Sequence, residues 1–84
     1  MKKLIKFSQP TCIPCKILSN YLENQGVKYE DVDVFDDVYT ASKYGIMGGL
    51  PVLLLLEDEE VIGRSSGFNP SFTQPVDDLV NQLD

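Results

Sequence analysis

The sequence predicts an α/β domain with a four-stranded mixed sheet and helices on both of its faces. Short apolar stretches alternate with segments of helical periodicity in the order β-α-β-α-β-β-α. Residues 52–56, V-L-L-L-L, are apolar at every position, which is typical of a strand buried on both faces. The 84 residues contain no linker, repeat or low-complexity tract, and we therefore expect one domain over residues 1–84.

The first predicted strand leads into an amphipathic helix. Residues 4–7 form a short apolar stretch, and turn-forming residues follow it. Thr11 or Cys12 can cap the helix, and Pro14 suits its first turn, where a backbone N–H has no partner within the helix. Gly26 supplies a left-handed stop. The apolar residues of this segment predict one buried helix face, made of Ile13, Ile17, Leu18, Tyr21 and Leu22.

A second strand and a short helix complete the first half of the chain. Residues 28–33 carry the strand-forming Val and Tyr type before a cluster of aspartates. Asp36 and Asp37 are candidate N-caps of a helix that runs through Tyr44, and Gly45 ends it. Together with the first strand and helix, this segment predicts a right-handed parallel β-α-β unit.

The second half of the chain predicts an antiparallel hairpin followed by a helix. The strand at 52–56 is joined to a partner at 60–64 by the acidic residues 57–60, which we interpret as a solvated turn. Residues 65–70 read as a loop, and residues 71–74 show a capping-box pattern, S-x-x-Q. The final helix is expected to bury Phe72, Val76, Leu79, Val80 and Leu83 on one face.

Composition and charge exclude several classes of protein. The net charge of −6 leaves no basic footprint for a polynucleotide, so we expect no nucleic-acid partner. No run approaches the ~20 apolar residues that span a bilayer, and residues 1–6 are too short for the apolar core of a signal peptide. We therefore expect a soluble, cytoplasmic monomer that does not bind membranes, in a compartment that keeps thiols reduced.

The two cysteines of the chain narrow its chemistry most sharply. Cys12 and Cys15 lie at the predicted strand-to-helix junction, where such a pair can close and reopen a small disulfide ring. Unpaired N–H groups at the helix start favour the thiolate of Cys12, the nucleophile. Cys15, in the first turn and more buried, is then the resolving thiol. Two alternatives stay open: a pair of buried small side chains, and a metal site shared between two chains, because the sequence has no histidine to complete four ligands.

Three motifs, together with the order of elements, resemble the thioredoxin superfamily over nearly the whole chain. They are C-I-P-C-K at 12–16, A-S-K-Y-G-I at 41–46 and L-P-V-L-L-L at 50–55. The resemblance implies the thioredoxin fold, thiol–disulfide oxidoreductase activity without a cofactor, and a cis Leu50–Pro51 peptide. It also implies two kinds of partner: a thioredoxin-reductase-type flavoprotein that reduces the dithiol, and disulfide-containing protein substrates.

A narrower resemblance gives an alternative function. The segment S-G-F-N-P at 66–70 and the short front half look like the NrdH-redoxins, glutaredoxin-sized proteins that carry S-G-F-R-P there and reduce ribonucleotide reductase. This resemblance implies a dedicated electron donor to that enzyme. A glutathione cofactor is not implied, because the chain lacks the C-P-Y-C, T-V-P and later glycine–aspartate pattern of glutaredoxins.

The chain departs from thioredoxin around the dithiol. Thioredoxin has W-C-G-P-C, whereas here Thr11 replaces the tryptophan and Ile13 the glycine, so the surface beside Cys12 is smaller on one side and more apolar on the other. Thioredoxin also places a buried aspartate six residues before the first cysteine. That position is Lys6 here, and the proton-relay role of the aspartate does not carry over.

The resemblance also implies a substrate groove beside the cysteines. A cis Leu50–Pro51 bond would place the backbone of Leu50 against the dithiol, where its N–H and C=O can pair with an extended substrate segment. Gly67 and Phe68 are candidates for the far wall, with a turn glycine and a core-edge phenylalanine as the alternative interpretation. The substrate-binding residues expected on this basis are Thr11, Ile13, Pro14, Leu50, Pro51, Gly67 and Phe68.

Overall fold

The computed structural model describes residues 1–46 and 48–83. The elements follow in the order β1 (Lys2–Ser8), α1 (Ile13–Asn24), β2 (Glu30–Asp33), α2 (Val38–Lys43), β3 (Val52–Glu57), β4 (Glu60–Ser66) and α3 (Gln74–Asn81). The strands form one sheet in the order β2-β1-β3-β4, in which β1 pairs with β2 in parallel, whereas the β1–β3 and β3–β4 pairs are antiparallel. The predicted element order and mixed sheet are confirmed.

Two apolar clusters cover the two faces of the sheet. Alternate residues of β3 point to opposite faces, so that Leu53 and Leu55 join the cluster of α1 and α3, and Val52, Leu54 and Leu56 join that of α2. All five are at most 1% exposed, which confirms that this strand is buried on both faces. By the same alternation, residues 4 and 6 of β1 share the face beneath α1.

The strand ends differ from the prediction in two places. β2 is shorter than predicted, because it begins at Glu30 and leaves Lys28 and Tyr29 before the strand. β4 is longer, because Ser65 and Ser66 continue the antiparallel ladder opposite Leu53 and Val52. Their assignment to a loop was wrong, since small polar side chains carry no apolar alternation although their backbones pair fully.

Helix α1 confirms the predicted caps but not the whole predicted face. Cys12 is the N-cap, and Gly26 has the left-handed φ of 68° that the stop requires. The helix buries Cys15, Leu18 and Leu22. Ile13 and Ile17 are 68% and 39% exposed, so their place on the buried face was wrong, because the stripe that meets the sheet is narrower than the apolar pattern.

The two remaining helices divide between confirmation and correction. α2 begins after the N-cap Asp37, as predicted. α3 begins after Thr73 without a side-chain cap bond, so the capping box at 71–74 was wrong. The Ser71 N–H instead donates to Asn69 Oδ1 at 2.9 Å. Phe72 was also assigned wrongly, being 63% exposed because it precedes the helix that buries Val76 and Leu79.

The acidic segment between β3 and β4 forms the predicted solvated turn. Asp58 and Glu59 adopt positive φ values of 51° and 73°, and both side chains are exposed. Among the described residues, no helix combines the length and the apolar character that crossing a bilayer requires.

Candidate active site

The cysteines lie where the chain leaves the sheet and enters its first helix. After β1 ends at Ser8, the chain turns, and the Cys12 N–H donates to the Gln9 carbonyl at 3.1 Å. Cys12 itself has an extended backbone, with φ −87° and ψ 104°, and helical geometry begins at the next residue. The local sequence therefore places one cysteine at the N-cap and the other in the first turn.

The pair is joined in a disulfide whose two sulfurs have different surroundings. The Cα atoms of Cys12 and Cys15 lie 5.2 Å apart. Cys12 Sγ accepts a hydrogen bond from the Cys15 N–H at 3.1 Å, as a capping side chain does. Cys12 is 7% exposed and Cys15 is 2% exposed. Cys12 is thus slightly more open to solvent, and a helix-terminal N–H donates to its sulfur.

The structure brings Pro51 and Gly67 together next to this junction. Val52 pairs with Phe7 near the end of β1, so the residues before β3 lie at the same sheet edge as the cysteine turn. The Leu50–Pro51 peptide is cis. The Gly67 N–H donates to the Pro51 carbonyl at 2.7 Å, with φ +74° at the glycine. Leu50 is half-buried and Pro51 is buried.

The other candidate substrate residues divide into two groups. Thr11, Ile13 and Pro14 are exposed and surround Cys12 in the chain. Phe68 is half-buried and packs against the core cluster beneath α1, with its ring centroid 5.4 Å from that of Tyr21. This packing is what we would expect if Phe68 is a residue at the edge of the core.

Sequence reasoning missed the burial of Lys6 next to Cys15. The side chain is buried, and its Nζ donates to the Cys15 carbonyl at 3.4 Å and to Ser19 Oγ. It also pairs with Asp31 Oδ2 at 3.3 Å. The signal was present in the alternation of β1, which places residue 6 on the same face as Leu4, below α1.

A cleft of about 550 Å³ opens beside Lys6, and Cys15 is among the residues that line it. Its walls come from β1, the cysteine turn, α1 and β2. Residues that line it include Lys6, Cys15, Lys16, Ser19, Asp31 and Asp33.

In the part of the chain that the structure describes, the surroundings of the dithiol do not assemble a metal-binding group. Within residues 1–46 and 48–83, no three side chains of the His, Cys, Asp and Glu types come close enough together to hold a metal ion. The cysteine pair offers two sulfur ligands, and a tetrahedral zinc site needs four.

Comparison with known proteins gives close relatives by sequence. No protein-family model matches the chain. It is 44% identical over 82 residues to the SPbeta prophage-derived thioredoxin-like protein YosR of Bacillus subtilis (strain 168), covering 96% of this chain and 98% of that protein. It is 38% identical over 85 residues to thioredoxin of the same organism, covering 94% of this chain and 79% of that one.

Solved structures give the same answer for the fold. A mutant thioredoxin from Halobacterium salinarum NRC-1 superposes with a TM-score of 0.80 and 26% identity, covering 95% of this chain and 72% of that one. Thioredoxin from Fasciola hepatica superposes with a TM-score of 0.83 over 99% of this chain and 81% of that one, at 19% identity.

The dithiol geometry and the relatives agree on the chemistry. A cysteine pair linked across one helical turn, with its outer sulfur at the N-cap, is a thiol–disulfide exchange group. The relatives that match 96% and 94% of this chain in sequence are a thioredoxin-like protein and a thioredoxin. The chain is therefore a thiol–disulfide oxidoreductase and belongs to the thioredoxin superfamily.

Proposed function

We propose that this chain, as a single domain over residues 1–84, reduces disulfide bonds in other proteins. Cys12 is the attacking thiol and Cys15 the resolving thiol. The observation that carries this assignment is the position of Cys12 Sγ at the N-cap, where it accepts the Cys15 N–H at 3.1 Å. A group that already accepts a helix-terminal N–H gains from that bond when it becomes an anion.

The reaction proceeds in two exchanges. The Cys12 thiolate attacks one sulfur of the substrate disulfide, a Cys12–substrate bond forms, and the other substrate sulfur leaves as a thiolate that takes a proton from water. The Cys15 thiolate then attacks Cys12 Sγ, the Cys12–Cys15 bond forms, and the second substrate sulfur leaves in the same way. Two electrons have passed to the substrate, and the Cys15 proton has passed to water.

The substrate segment lies in an extended conformation across the dithiol. The backbone of Leu50, at the sheet edge where the cysteine turn also begins, supplies an N–H and a C=O for strand-like pairing. Exposed Ile13 gives an apolar contact next to Cys12, and exposed Thr11 and Pro14 leave the approach to the sulfur uncrowded. Pro51 shapes the floor of this groove and Gly67 its far edge, with Phe68 behind.

Electrons are returned to the dithiol by a thioredoxin-reductase-type flavoprotein. The support for this partner is the chain's likeness to proteins named thioredoxin, over 94% of its length in one case. We place the reaction in the cytoplasm, where thiols are kept reduced, and expect the protein to act as a monomer.

Reduction of insulin disulfides, coupled to a thioredoxin reductase and NADPH, tests the proposal with two matched variants. Cys12→Ser is expected to give no turnover and no covalent complex. Cys15→Ser is expected to give no turnover but to accumulate a Cys12–insulin mixed disulfide, because the first exchange proceeds and the second cannot. A wild-type protein without turnover, or a complex held through Cys15 in the Cys12→Ser variant, would contradict it.

A dedicated donor to ribonucleotide reductase is the second candidate. The observation that favours it is the position of the segment 66–70, whose Gly67 binds the Pro51 carbonyl and so lies at the groove. Parallel assays with insulin and with ribonucleotide reductase separate the two candidates. Strong turnover with ribonucleotide reductase and little with insulin would show that the chain is the dedicated donor.

A further inference from the structure

Lys6 is a buried cation that contacts the backbone of Cys15, one of the two cysteines. Of the described residues, it is the charged side chain that the structure buries, with 2% of its surface exposed. It comes from the middle of the sheet, and its Nζ rises toward α1 rather than toward solvent. A charge taken out of water is unfavourable unless specific partners compensate it, so its contacts are informative.

The partners of Lys6 connect two elements of the site. Two of them belong to α1: the Cys15 carbonyl at 3.4 Å and Ser19 Oγ. The third is the Asp31 carboxylate of β2 at 3.3 Å, whose other oxygen accepts from Ser8 Oγ at 2.9 Å. The Asp31 side chain is half-exposed, so water screens it, whereas the ammonium is almost wholly enclosed. The positive charge of Lys6 is therefore enclosed by protein, whereas the carboxylate that opposes it is half in contact with water.

We propose that Lys6 is a positioning residue of the dithiol, which fixes the first turn of α1 through the Cys15 carbonyl and favours the Cys15 thiolate by its charge. This inference rests on the proposed exchange between Cys12 and Cys15. Cys15 is the more buried sulfur, and burial alone would disfavour its anion. An enclosed ammonium bound to the same residue acts in the opposite direction and makes the buried thiol available as a nucleophile.

The step that Lys6 serves is the second exchange. The Cys15 thiol loses its proton to water in the cleft that Lys6 and Cys15 both line. Its thiolate attacks Cys12 Sγ, the Cys12–Cys15 bond forms, and the substrate sulfur leaves with the electron pair of the broken bond. Lys6 takes no proton in this step and acts only through its charge and its hydrogen bond.

Other charged and titratable groups also face the cleft or Lys6, and they set the background for any pH dependence. Lys16 of α1 and Asp33 of β2 line the cleft. The centre of the Tyr29 ring, before β2, lies 5.6 Å from Lys6 Nζ. The pKa of the Tyr29 hydroxyl is raised, mainly by burial. Asp31 is the group that opposes Lys6 directly, so it must be varied together with Lys6.

The test measures the reduction potential of the full chain in glutathione buffers and the ultraviolet absorbance of the Cys15 thiolate against pH in the Cys12→Ser protein. Lys6→Met keeps the length of the side chain and removes its charge. We expect it to move the thiolate midpoint upward by about one pH unit. At a pH above the thiolate midpoints of both proteins, it should also make the dithiol about tenfold more reducing, which is about 30 mV for this two-electron couple. Lys6→Arg retains the charge and should restore both values.

Two further variants make the outcome specific to charge. Lys3→Met removes the same charge from β1 but breaks an exposed pair, Lys3–Glu30 at 3.3 Å, away from the cysteines, and it should move neither value. Asp31→Asn removes the counter-charge and should move the thiolate midpoint downward, opposite to Lys6→Met. Structural damage alone would not give opposite directions.

Each result decides the proposal. The proposal would be overturned if Lys6→Met had the same thiolate midpoint and reduction potential as Lys3→Met. It would also be overturned if Asp31→Asn left the thiolate midpoint unchanged, and this second test does not require that Lys6→Met folds. A wild-type pair that never cycles between dithiol and disulfide would instead overturn the proposed function. Cycling that is indifferent to Lys6 removes this inference alone.

Discussion

The backbone N–H of Cys15 points at the Sγ of Cys12 across 3.1 Å, so the first helical turn of α1 is closed by a sulfur. Most N-caps use an oxygen of Ser, Thr, Asp or Asn for this purpose. A thiol in that position gains a stronger hydrogen bond when it loses its proton. In the proposed mechanism, one contact therefore both caps the helix and activates the nucleophile.

This contact predicts which reduced cysteine reacts first. Brief treatment of the reduced protein with iodoacetamide, followed by peptide mapping, should find Cys12 alkylated at least about tenfold faster than Cys15 because it is both the more exposed and the better stabilised thiolate. Urea-unfolded protein is the control, in which the two rates should become similar. Preferential labelling of Cys15 in the folded protein would reverse the assigned roles.

A hydrogen bond between helices predicts a stability effect far from the cysteines. Tyr21 of α1 donates its hydroxyl to Asp77 Oδ1 of α3 at 2.5 Å in a partly buried setting. Tyr21→Phe should lower the free energy of unfolding by about 1–2 kcal/mol because it removes a bond to a charged acceptor. Urea unfolding measures this, and Tyr39→Phe, on a 79% exposed ring, should change it by less than about 0.5 kcal/mol. Equal effects of the two substitutions would contradict the importance of the contact.

The packing of α3 on β4 predicts a steric effect at a glycine. A Cβ on Gly63 would stand 2.5 Å from Leu79 Cδ2 and 3.4 Å from Leu55 Cβ. Gly63→Ala should therefore destabilise the fold by about 1–3 kcal/mol through overpacking. Combined with Leu79→Ala, which removes the clashing atom, the loss in a urea titration should be smaller than the sum of the single effects. Additive losses would show that the clash is relieved in another way.

The cap of α2 predicts a pH effect on stability. The pKa of Asp37 is lowered from 3.8, first by the Thr40 hydroxyl and then by the Thr40 N–H, which donate to its carboxylate at 2.7 and 3.0 Å. Because the folded pKa is the lower one, the ionised carboxylate stabilises the fold above pH 3.8 and loses this effect as the pH falls through the folded value.

Asp37→Ala should therefore lower the urea midpoint at neutral pH, and the gap to wild type should narrow as the pH falls below 3.8. Asp37→Asn keeps the cap acceptor without the charge and should fall between the two at neutral pH. A gap that is the same at acidic and neutral pH would show that the charge does not contribute.

Much of this fold could be predicted from the sequence, because many of its features depend on interactions between neighbouring residues. The N-cap at Cys12, the left-handed stop at Gly26 and the cap at Asp37 each depend on a few adjacent backbone groups, and all three are confirmed. The burial of residues 52–56 on both faces could also be predicted, since a continuous apolar run has few other solutions.

The remaining features depend on partners that are distant in the sequence. Apolar periodicity cannot tell which of two adjacent stripes of α1 meets the sheet, and Ile17 was therefore placed on the wrong side. Ser65 joins a strand only because β3 lies opposite it. The burial of Lys6 was missed because the charge that compensates it comes from Asp31, 25 residues further along the chain. A lysine with no visible partner reads as a surface residue.

Titration of the purified protein across glutathione buffers, with free thiols alkylated and counted by mass spectrometry, shows whether Cys12 and Cys15 exchange reversibly between two thiols and one disulfide. We expect one two-electron transition in which the fully oxidised monomer contains a Cys12–Cys15 bond and the fully reduced monomer contains two free thiols. Thiols that stay free at every ratio of reduced to oxidised glutathione would contradict reversible exchange between Cys12 and Cys15. A disulfide that joins two chains instead of these two residues would also contradict it.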